Sequence, residues 1–407
     1  MLFTGIDWSD QALDFHLRTA DGQVLAEGTV RPNLEGLAAL YGKLDVHASP
    51  DQIGIAIETS HGAWMQSLLD HGYRIYPVNP KSVDSFRKAL SANGNKSDAI
   101  DRKVLAMFLV TFHQDLRSLQ PDDPEIITLR IACEDRVRLV RERTAKLCEL
   151  EALLKIYYPA FVGFFGDFDS QITLEFLQQF PTQAQMQGLT PGRLRGWLKR
   201  HAYTCGGRIE AMTATLKKPA LPVPQHLQKA KGTLIRFLAT SLIALKAEIA
   251  QRDGEIGDRF GQMPEADWIR TLPGTGPTLA PALLACLGRD RRRFATTEDA
   301  RAFMGTAPVT FASGSSRVVR FRRGCWKFAR RTLQLFADAS RHQCTWAQNL
   351  YDRQRAKGRS HHKALRALAH KWLKIILAMW RTGTPYNEAV FRASQERYLL
   401  KKTAPET

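Results

Sequence analysis

Short apolar runs separated by turn residues dominate the first part of the chain. Strands are predicted at 2–6, 12–17, 24–26, 53–57 and 73–78. The turn residues at 20–23 join the second and third of these strands as a hairpin, and the segment 34–44 has the spacing of a helix. Three early strands followed by strand and helix alternation predict a mixed sheet with flanking helices, in the order of a ribonuclease-H-like fold.

Longer helical patterns begin at Pro124. Apolar residues recur every seven positions from Ile126 to Leu154. They recur in steps of three and four from Ile235 to Ile256, interrupted only by Arg252. This spacing predicts two long helices with coiled-coil seams. The two helices would pair either within one chain as a hairpin or between chains as a dimer arm. Glycine and proline punctuate the segment between them, which predicts short inserted helices at 159–224.

The chain of 407 residues is too long for one ordinary hydrophobic core. The change of hydrophobic pattern along it predicts several domains. An α/β domain is expected at 1–115 and a helical, coiled-coil region at 124–262. A mostly helical C-terminal domain is expected at 266–397, where the segment 363–381 has an amphipathic, core-packing pattern. The remaining residues, 398–407, are expected to form a frayed tail.

A strongly basic composition narrows the choice of partner. The net charge is +18 and the pI is 9.8, which favours a polyanion, most simply nucleic acid. An anionic membrane is the competing interpretation, but no uncharged run approaches the roughly 20 residues of a spanning helix, and no signal-peptide layout is present. The six cysteines show no C-x-x-C spacing, which argues against a zinc site or disulfide framework and fits a reducing cytoplasm.

Four carboxylates fall where one divalent-metal site would need them. Asp7 and Glu58 each end a predicted buried strand, and Asp98 and Asp101 lie three apart on one face of a predicted helix. Such oxygen ligands suit Mg²⁺, with Mn²⁺ as the alternative, and in a basic chain they indicate chemistry on a phosphodiester. The plainer interpretations are that Asp98 caps a helix and that Asp101 is a surface acid.

A glycine-rich turn precedes the apolar run 279–284. The sequence Leu-Pro-Gly-Thr-Gly-Pro at 272–277 resembles the hairpin of helix-hairpin-helix modules, whose amides can hold a phosphate; Gly274 and Gly276 are therefore candidate nucleic-acid contacts. The motif lacks the lysine of a nucleotide-binding P-loop. An ordinary turn between helices explains the same residues.

A serine-rich loop and a basic segment follow one another at 307–331. A serine on a tight, glycine-flanked loop beside arginines can attack a phosphate, although most such loops are only turns. The basic segment carries aromatic residues among its cations, which suits nucleic-acid contact, with a solvated face as the alternative. The candidate contacts are Arg317, Arg320, Arg322, Arg323, Lys327, Arg330 and Arg331.

These blocks, in this order, resemble the transposases of the insertion-sequence one-ten family, also called bridge recombinases, which share their architecture with the Piv/MooV DNA invertases. The resemblance rests on the strand ends at Asp7 and Glu58, the segment 96–101, and the Pro-Gly-x-Gly turn. It extends through the segment 303–308 and the Ser313–Gly314 step to the Arg-Arg-Gly at 322–324. It covers nearly the whole chain.

The resemblance implies a RuvC-like domain whose D-E-D-D metal set is Asp7, Glu58, Asp98 and Asp101. It also implies a C-terminal transposase domain in which Ser313 forms a transient phosphoserine link to DNA; the neighbouring Ser315 and Ser316 leave the nucleophile open. Implied partners are donor and target DNA, a structured guide RNA, and further copies of the chain in a dimer or tetramer. The metal site and the serine would come from different subunits.

The leading hypothesis is a prokaryotic DNA recombinase that moves its own insertion element and works in the cytoplasm at the nucleoid. Two alternatives remain. One is a RuvC-like nuclease or resolvase that uses metal-activated water and no serine. The other is a non-catalytic nucleic-acid-binding protein that keeps only the fold.

Overall fold

The chain folds into two compact units, Met1–Asp122 and Asp123–Thr407. The computed structural model describes residues 1–58, 63–90, 97–119, 122–204, 208–218 and 223–393, without the side chain of Asp98. The predicted tail at 398–407 lies outside the described residues, as does Cys205. Within the described residues, no helix is both long enough and apolar enough to cross a membrane.

The first unit is the mixed α/β domain that the apolar runs predict. Its strands are β1 (Leu2–Trp8), β2 (Leu13–Arg18), β3 (Val24–Val30), β4 (Ile53–Ile57) and β5 (Arg74–Pro77). Its helices are α1 (Leu34–Leu44), α2 (Ala63–Asp70), α3 (Pro80–Leu90) and α4 (Asp98–Phe112). The side chain of Asn33 caps α1 by accepting the Gly36 N–H, and that of Ser97 caps α4 by accepting the Ile100 N–H. The N-cap of α4 is therefore Ser97, and Asp98 is the first residue inside the helix.

The five strands form one sheet in the order β3-β2-β1-β4-β5. The strands β1, β2 and β3 pair antiparallel, whereas β4 pairs parallel to β1 and β5 parallel to β4. Every residue of β4 is buried, because helices cover both faces of the sheet at its centre. Ile55 and Ile57 pack in the core with α1 and α2, whereas Ala56 packs on the other face with α3 and α4.

Gly5 lets α4 lie directly on β1. A Cβ atom at this position would come within 2.0 Å of the Arg102 carbonyl oxygen and 2.5 Å of the Ala106 amide nitrogen. These are backbone atoms of α4, so a side chain would have to push the helix away. Gly5 and Asp7 share one face of the sheet because residues two apart along a strand point the same way. The contact therefore sets the distance from β1 to the helix that carries Asp101.

We expect Gly5→Ala to destabilise the chain by roughly 1–3 kcal/mol, the usual cost of forcing extra atoms into a packed contact. Gly42→Ala is the matched control: this exposed glycine of α1 has open space around its Cβ position, and the change should stabilise the helix by about 0.5–1 kcal/mol. The midpoint of thermal unfolding measures both. Equal midpoints for the two variants would show that Gly5 does not set the helix position.

The second unit is mostly helical. Its helices are α5 (Pro124–Tyr157), α6 (Gln171–Gln179), α7 (Gln183–Gln187), α8 (Pro191–Arg200), α9 (Ile209–Leu216), α10 (Gln225–Gly261), α11 (Ala266–Ile269), α12 (Gly276–Leu287), α13 (Thr297–Phe303), α14 (Lys327–Arg341), α15 (Thr345–Ala356) and α16 (His361–Thr382). Between α13 and α14, the strands β6 (Val309–Ser313) and β7 (Ser316–Arg320) form a two-stranded sheet.

The two long helices, α5 and α10, pack antiparallel within the chain. An ion pair between Arg136 of α5 and Asp253 of α10 joins the two helices at one point between their ends. At one end Leu150 and Leu154 share a core with α6, α8 and the start of α10. At the other end Ile126 packs in a second core with the end of α10 and the helices α11 to α16. Pairing within one chain is thus the arrangement that the structure contains.

Candidate active site

The ends of two paired strands bring Asp7 and Glu58 to neighbouring positions. In the parallel ladder between β1 and β4, Ile6 lies opposite Ile57. Asp7 and Glu58 are the next residues along each chain segment, so both emerge at the same edge of the sheet. Side chains at the carboxyl ends of adjacent parallel strands are well placed to act on one ligand.

The helix α4 adds the second pair of acids. Asp98 is its first residue and Asp101 lies one turn further on, just before the residues that contact Gly5. Asp101 is largely buried, with a side-chain exposure of 19%. The side chain of Asp98 is not among the parts of the chain that the structure describes. Its role as a metal ligand therefore stays a prediction.

One open cleft of about 650 Å³ collects three of the four predicted acids. Asp7, Glu58 and Asp101 line it. The rest of its lining comes from Leu105 and from α3, namely Pro80, Lys81, Val83, Asp84, Ser85 and Arg87. The cleft therefore has carboxylates from β1, from the residue after β4 and from α4, together with a wall formed by α3 that carries both basic and acidic side chains.

Arg87 is a cation of α3 that contacts one of these acids directly. Its Nη1 donates to Oδ1 of Asp101 at 3.0 Å, and its Nη2 donates to Asp84. Lys88 also pairs with Asp84, at 2.7 Å, and hydrogen bonds from Lys88 and Arg87 lower the pKa of the Asp84 carboxyl. Asp84 is thus an ionised partner of basic side chains. Sequence reasoning missed Arg87, since nothing near it in the chain marks it as facing an acid fourteen residues later.

Asp14 is a further acid beside the cleft, directly across β1–β2 from Asp7. Its carboxylate accepts a hydrogen bond from the Thr29 hydroxyl at 2.5 Å and lies 3.5 Å from Nη1 of Arg102. The same guanidinium lies 3.7 Å from Glu27. These contacts engage Asp14 in a network between sheet and helix.

The donor set suits a hard divalent cation. All four predicted ligands are carboxylates, the ligand type that Mg²⁺ and Mn²⁺ prefer. Within the described residues, three or more His, Cys, Asp or Glu side chains do not gather closely enough to hold a metal ion. Arg87 occupies one oxygen of Asp101, and the side chain of Asp98 would have to complete the set. The donor atoms suit a divalent cation by their chemistry, and the three described acids line one cleft without forming a closed ligand set.

Ser313 lies in the second unit, at the tip of the hairpin β6–β7. It pairs with Ser316, and the two-residue turn Gly314–Ser315 connects the strands; Gly314 has a φ of +54°, as the tight turn requires. Where the sequence suggested a loop, the structure has a regular hairpin. Both its strands are almost entirely exposed. The hydroxyl of Ser313 has no hydrogen bond to any residue that the structure describes.

The predicted nucleic-acid contacts fall into two groups. Exposed cations on or near the hairpin are Arg317, Arg320, Arg323 and Lys327. Arg322, Arg330 and Arg331 are half-buried. Nε of Arg322 donates to the Ala307 carbonyl at 3.2 Å, which ties the two ends of the hairpin together. Burial, with the nearby Arg141 and Arg136, lowers the pKa of Arg331.

Gly274 lies in the turn between α11 and α12, and Gly276 is the first residue of α12. A Cβ at Gly274 would come within 2.7 Å of the Ala339 carbonyl carbon, so packing against α14 accounts for this glycine. At Gly276 the same position meets open space. Binding of nucleic acid at this turn stays a prediction.

Two family models match the chain. One, described as a transposase and named for the DEDD domain of IS110 transposases, covers residues 4–159, and the other, described as "Transposase IS116/IS110/IS902 family", covers residues 266–352. The first match contains all four acids, and the second contains Ser313. The chain belongs to the IS110 family of transposases. The resemblance seen in the sequence is thereby confirmed.

Curated relatives match most or nearly all of the length of the transposase. The "Mini-circle putative transposase for IS117" of Streptomyces coelicolor is 28% identical over 390 residues, which cover 91% of this chain and 92% of that protein. The "Insertion element IS900 uncharacterized 42 kDa protein" of Mycobacterium paratuberculosis is 27% identical, with coverage of 92% and 94%. The "Insertion element IS110 uncharacterized 43.6 kDa protein" of Streptomyces coelicolor is 28% identical, and the match covers 72% of each chain.

Membership of this family makes the chain an insertion-sequence transposase, an enzyme that binds and moves DNA. The DEDD domain also indicates a divalent-metal requirement.

Proposed function

We propose that the transposase cuts and rejoins DNA at the ends of its insertion element with the acid cleft and a serine nucleophile. The observation that carries this proposal is the shared cleft of Asp7, Glu58 and Asp101. Asp7, Glu58, Asp98 and Asp101 would hold Mg²⁺ or Mn²⁺, which supplies Lewis-acid polarisation of a phosphoryl oxygen. In this proposal the first unit is a RuvC-like catalytic domain.

The basic residues of the cleft and the hairpin serve the same substrate. Lys81 and Arg87 of α3 face the acids and offset part of the repulsion between carboxylates and a phosphodiester. Arg317 and Arg320 extend along the exposed strand β7, where they can contact the DNA backbone near Ser313. Arg87 would exchange its contact with Asp101 for a phosphate oxygen when DNA binds.

The chemical step is a phosphoryl transfer to Ser313. The Ser313 hydroxyl loses its proton to solvent as Oγ forms a bond to phosphorus. The bond from phosphorus to a deoxyribose oxygen breaks, and that oxygen takes a proton and leaves as a hydroxyl. Attack by a deoxyribose hydroxyl on the phosphoserine then rejoins the DNA and restores the serine. The neighbouring Ser315 and Ser316 are the alternatives for the same role.

A structured guide RNA and a homo-oligomer complete the proposal. The family resemblance supports both, and the net charge of +18 suits a protein that holds two nucleic acids. In a dimer or tetramer, the serine of one subunit would act at the acid cleft of another.

A plasmid assay tests the function as a whole. The transposase is expressed beside a donor plasmid that carries its element with the flanking noncoding DNA, and junctions of excised and inserted element are sequenced. We expect both kinds of junction, and RNA from the noncoding segment should copurify with the protein. Absence of junctions, with the protein folded and bound to the element DNA, would contradict the proposal.

One observation favours a second candidate, a nuclease or resolvase that uses water. The exposed hydroxyl of Ser313 has no described hydrogen-bond partner that could act as its base, and a nucleophilic serine usually has one. This candidate predicts 5′-phosphate ends and no protein–DNA adduct.

A further inference from the structure

Two arginines from different helices share one aromatic ring at the base of the hairpin. Phe321 is the residue after β7, and its side chain is 45% exposed. The guanidinium carbon of Arg330, on α14, lies 4.7 Å from the centre of this ring. That of Arg366, on α16, lies at the same distance. The ring therefore holds two positive charges at one place on the surface.

Neither guanidinium has an acidic partner among the described residues. Arg330 donates to two neutral acceptors, the Arg322 carbonyl at 3.1 Å and the Cys325 sulfur at 3.3 Å. Arg366 has neither a hydrogen bond nor an ion pair within the described ranges. Burial and the charge of Arg330 lower the pKa of the Arg366 guanidinium. The two groups repel each other, and the described residues supply no acidic side chain there to compensate the charge.

This arrangement matches the needs of a phosphate group. Guanidinium groups bind phosphate through paired N–H donors, and the contact strengthens where water is partly excluded. The ring fixes both groups before the ligand arrives, which lowers the entropy lost on binding. An arriving anion would also remove the repulsion between them. A purely structural role does not explain why a second arginine joins the first at the same ring.

The position of the pair relative to the hairpin tip indicates which phosphate it takes. Phe321 lies five residues beyond Ser316, the cross-strand partner of Ser313. At about 3.4 Å per residue in an antiparallel strand, the backbone at Phe321 is about 17 Å from Ser316. Successive phosphates of one strand advance by about 3.4 Å along duplex DNA, so this distance corresponds to about five base pairs.

We propose that Arg330 and Arg366 together bind a backbone phosphate of duplex DNA, about five base pairs from the phosphate attacked at the hairpin tip. The inference rests on the proposed function, since it takes DNA as the ligand and Ser313 as the reacting group. It assigns α16 a part in DNA binding, whereas its sequence pattern indicates only core packing.

The test is the salt dependence of DNA binding by the full-length chain. The probe is a short DNA duplex with the element end, and Arg366→Gln is compared with Arg353→Gln, which removes the same charge from an exposed position on α15. Arg366→Gln should lower affinity roughly tenfold and reduce the slope of log affinity against log salt by about one. The double variant with Arg330→Gln should reduce the slope further.

Arg366→Lys keeps the result interpretable if the glutamine variant unfolds. It retains the charge but lacks the fork, so the salt slope should stay near that of the wild type while affinity falls. Arg366 variants that match Arg353→Gln would overturn the inference. So would a loss confined to a duplex of RNA, with DNA binding intact.

Failure of the phosphate site can be distinguished from failure of the proposed function. Adduct formation by Ser313 is measured independently of binding. If Arg366→Gln matches its control while Ser313→Ala abolishes adducts, only the phosphate site fails. If the salt slope falls as expected while Ser313→Ala still forms adducts, the site stands and the nucleophile is wrong.

Discussion

Ser313→Ala should abolish covalent protein–DNA adducts and strand rejoining, while DNA binding stays as in the wild type. Removal of a nucleophile that forms a covalent intermediate lowers turnover by roughly 10⁴-fold or more. The substitution itself removes only one hydroxyl from an exposed hairpin tip, so the fold should be unaffected. Denaturing gels of reactions with labelled element DNA measure the adduct.

Ser315→Ala and Ser316→Ala are the matched controls for this change. Both serines lie at the same hairpin tip and are exposed. Each variant should keep most of the adduct formation of the wild type. Adducts that persist in Ser313→Ala but disappear in either control would move the nucleophile to that serine. Adducts absent in the wild type, with 5′-phosphate ends on the cut DNA, would favour the water-using nuclease.

Asp7→Asn should lower strand cleavage by roughly 10²–10³-fold, the usual loss when one electrostatic contribution to a transition state is removed. The amide has the shape of the carboxylate but lacks its charge, so binding of the divalent cation should weaken as well. Calorimetric titration measures the affinity for Mn²⁺, and a cleavage assay on element DNA measures the rate of the reaction.

Asp10→Asn is the control for Asp7→Asn. Asp10 is an exposed acid three residues further along the chain, and the same charge is lost there. This variant should bind Mn²⁺ and cut DNA as the wild type does. If Asp7→Asn recombined DNA normally, the cleft would not be catalytic, and a fold that only binds nucleic acid would be the better description of the first unit.

The strand ends show what the sequence could predict. Asp7 and Glu58 each follow a mostly apolar run. A strand that helices cover on both faces is buried on both sides, so its sequence is nearly continuously apolar. Their position at adjacent strand ends then depends only on parallel pairing in register. The helix α1 was predictable to its ends, because a periodic apolar face follows directly after the capping residue Asn33.

The hairpin β6–β7 was harder to foresee. Its apolar residues, such as Phe311 and Val319, are exposed, so no buried face imposes a pattern on the sequence. Arginines interrupt the second strand and resemble the basic segment that follows. The turn at Gly314 was visible, but a turn alone does not show whether strands flank it.

Contacts between distant segments escaped prediction for a different reason. Arg87 meets Asp101, and Arg366 shares a ring with Arg330, across separations along the chain that a single sequence does not constrain. Each residue taken alone is an ordinary basic position on a helix. Only the packing of α3 beside α4, or of α14 beside α16, gives these positions a chemical role.

Crystals soaked with Mn²⁺ test most directly whether the acids of the first unit hold a catalytic cation. The anomalous signal locates the ion without reference to activity. We predict an ion roughly 2.0–2.6 Å from carboxylate oxygens of Asp7, Glu58 and Asp101, with Arg87 released from Asp101. An ion bound only elsewhere, or none at saturating Mn²⁺, would contradict a metal-dependent mechanism at this cleft.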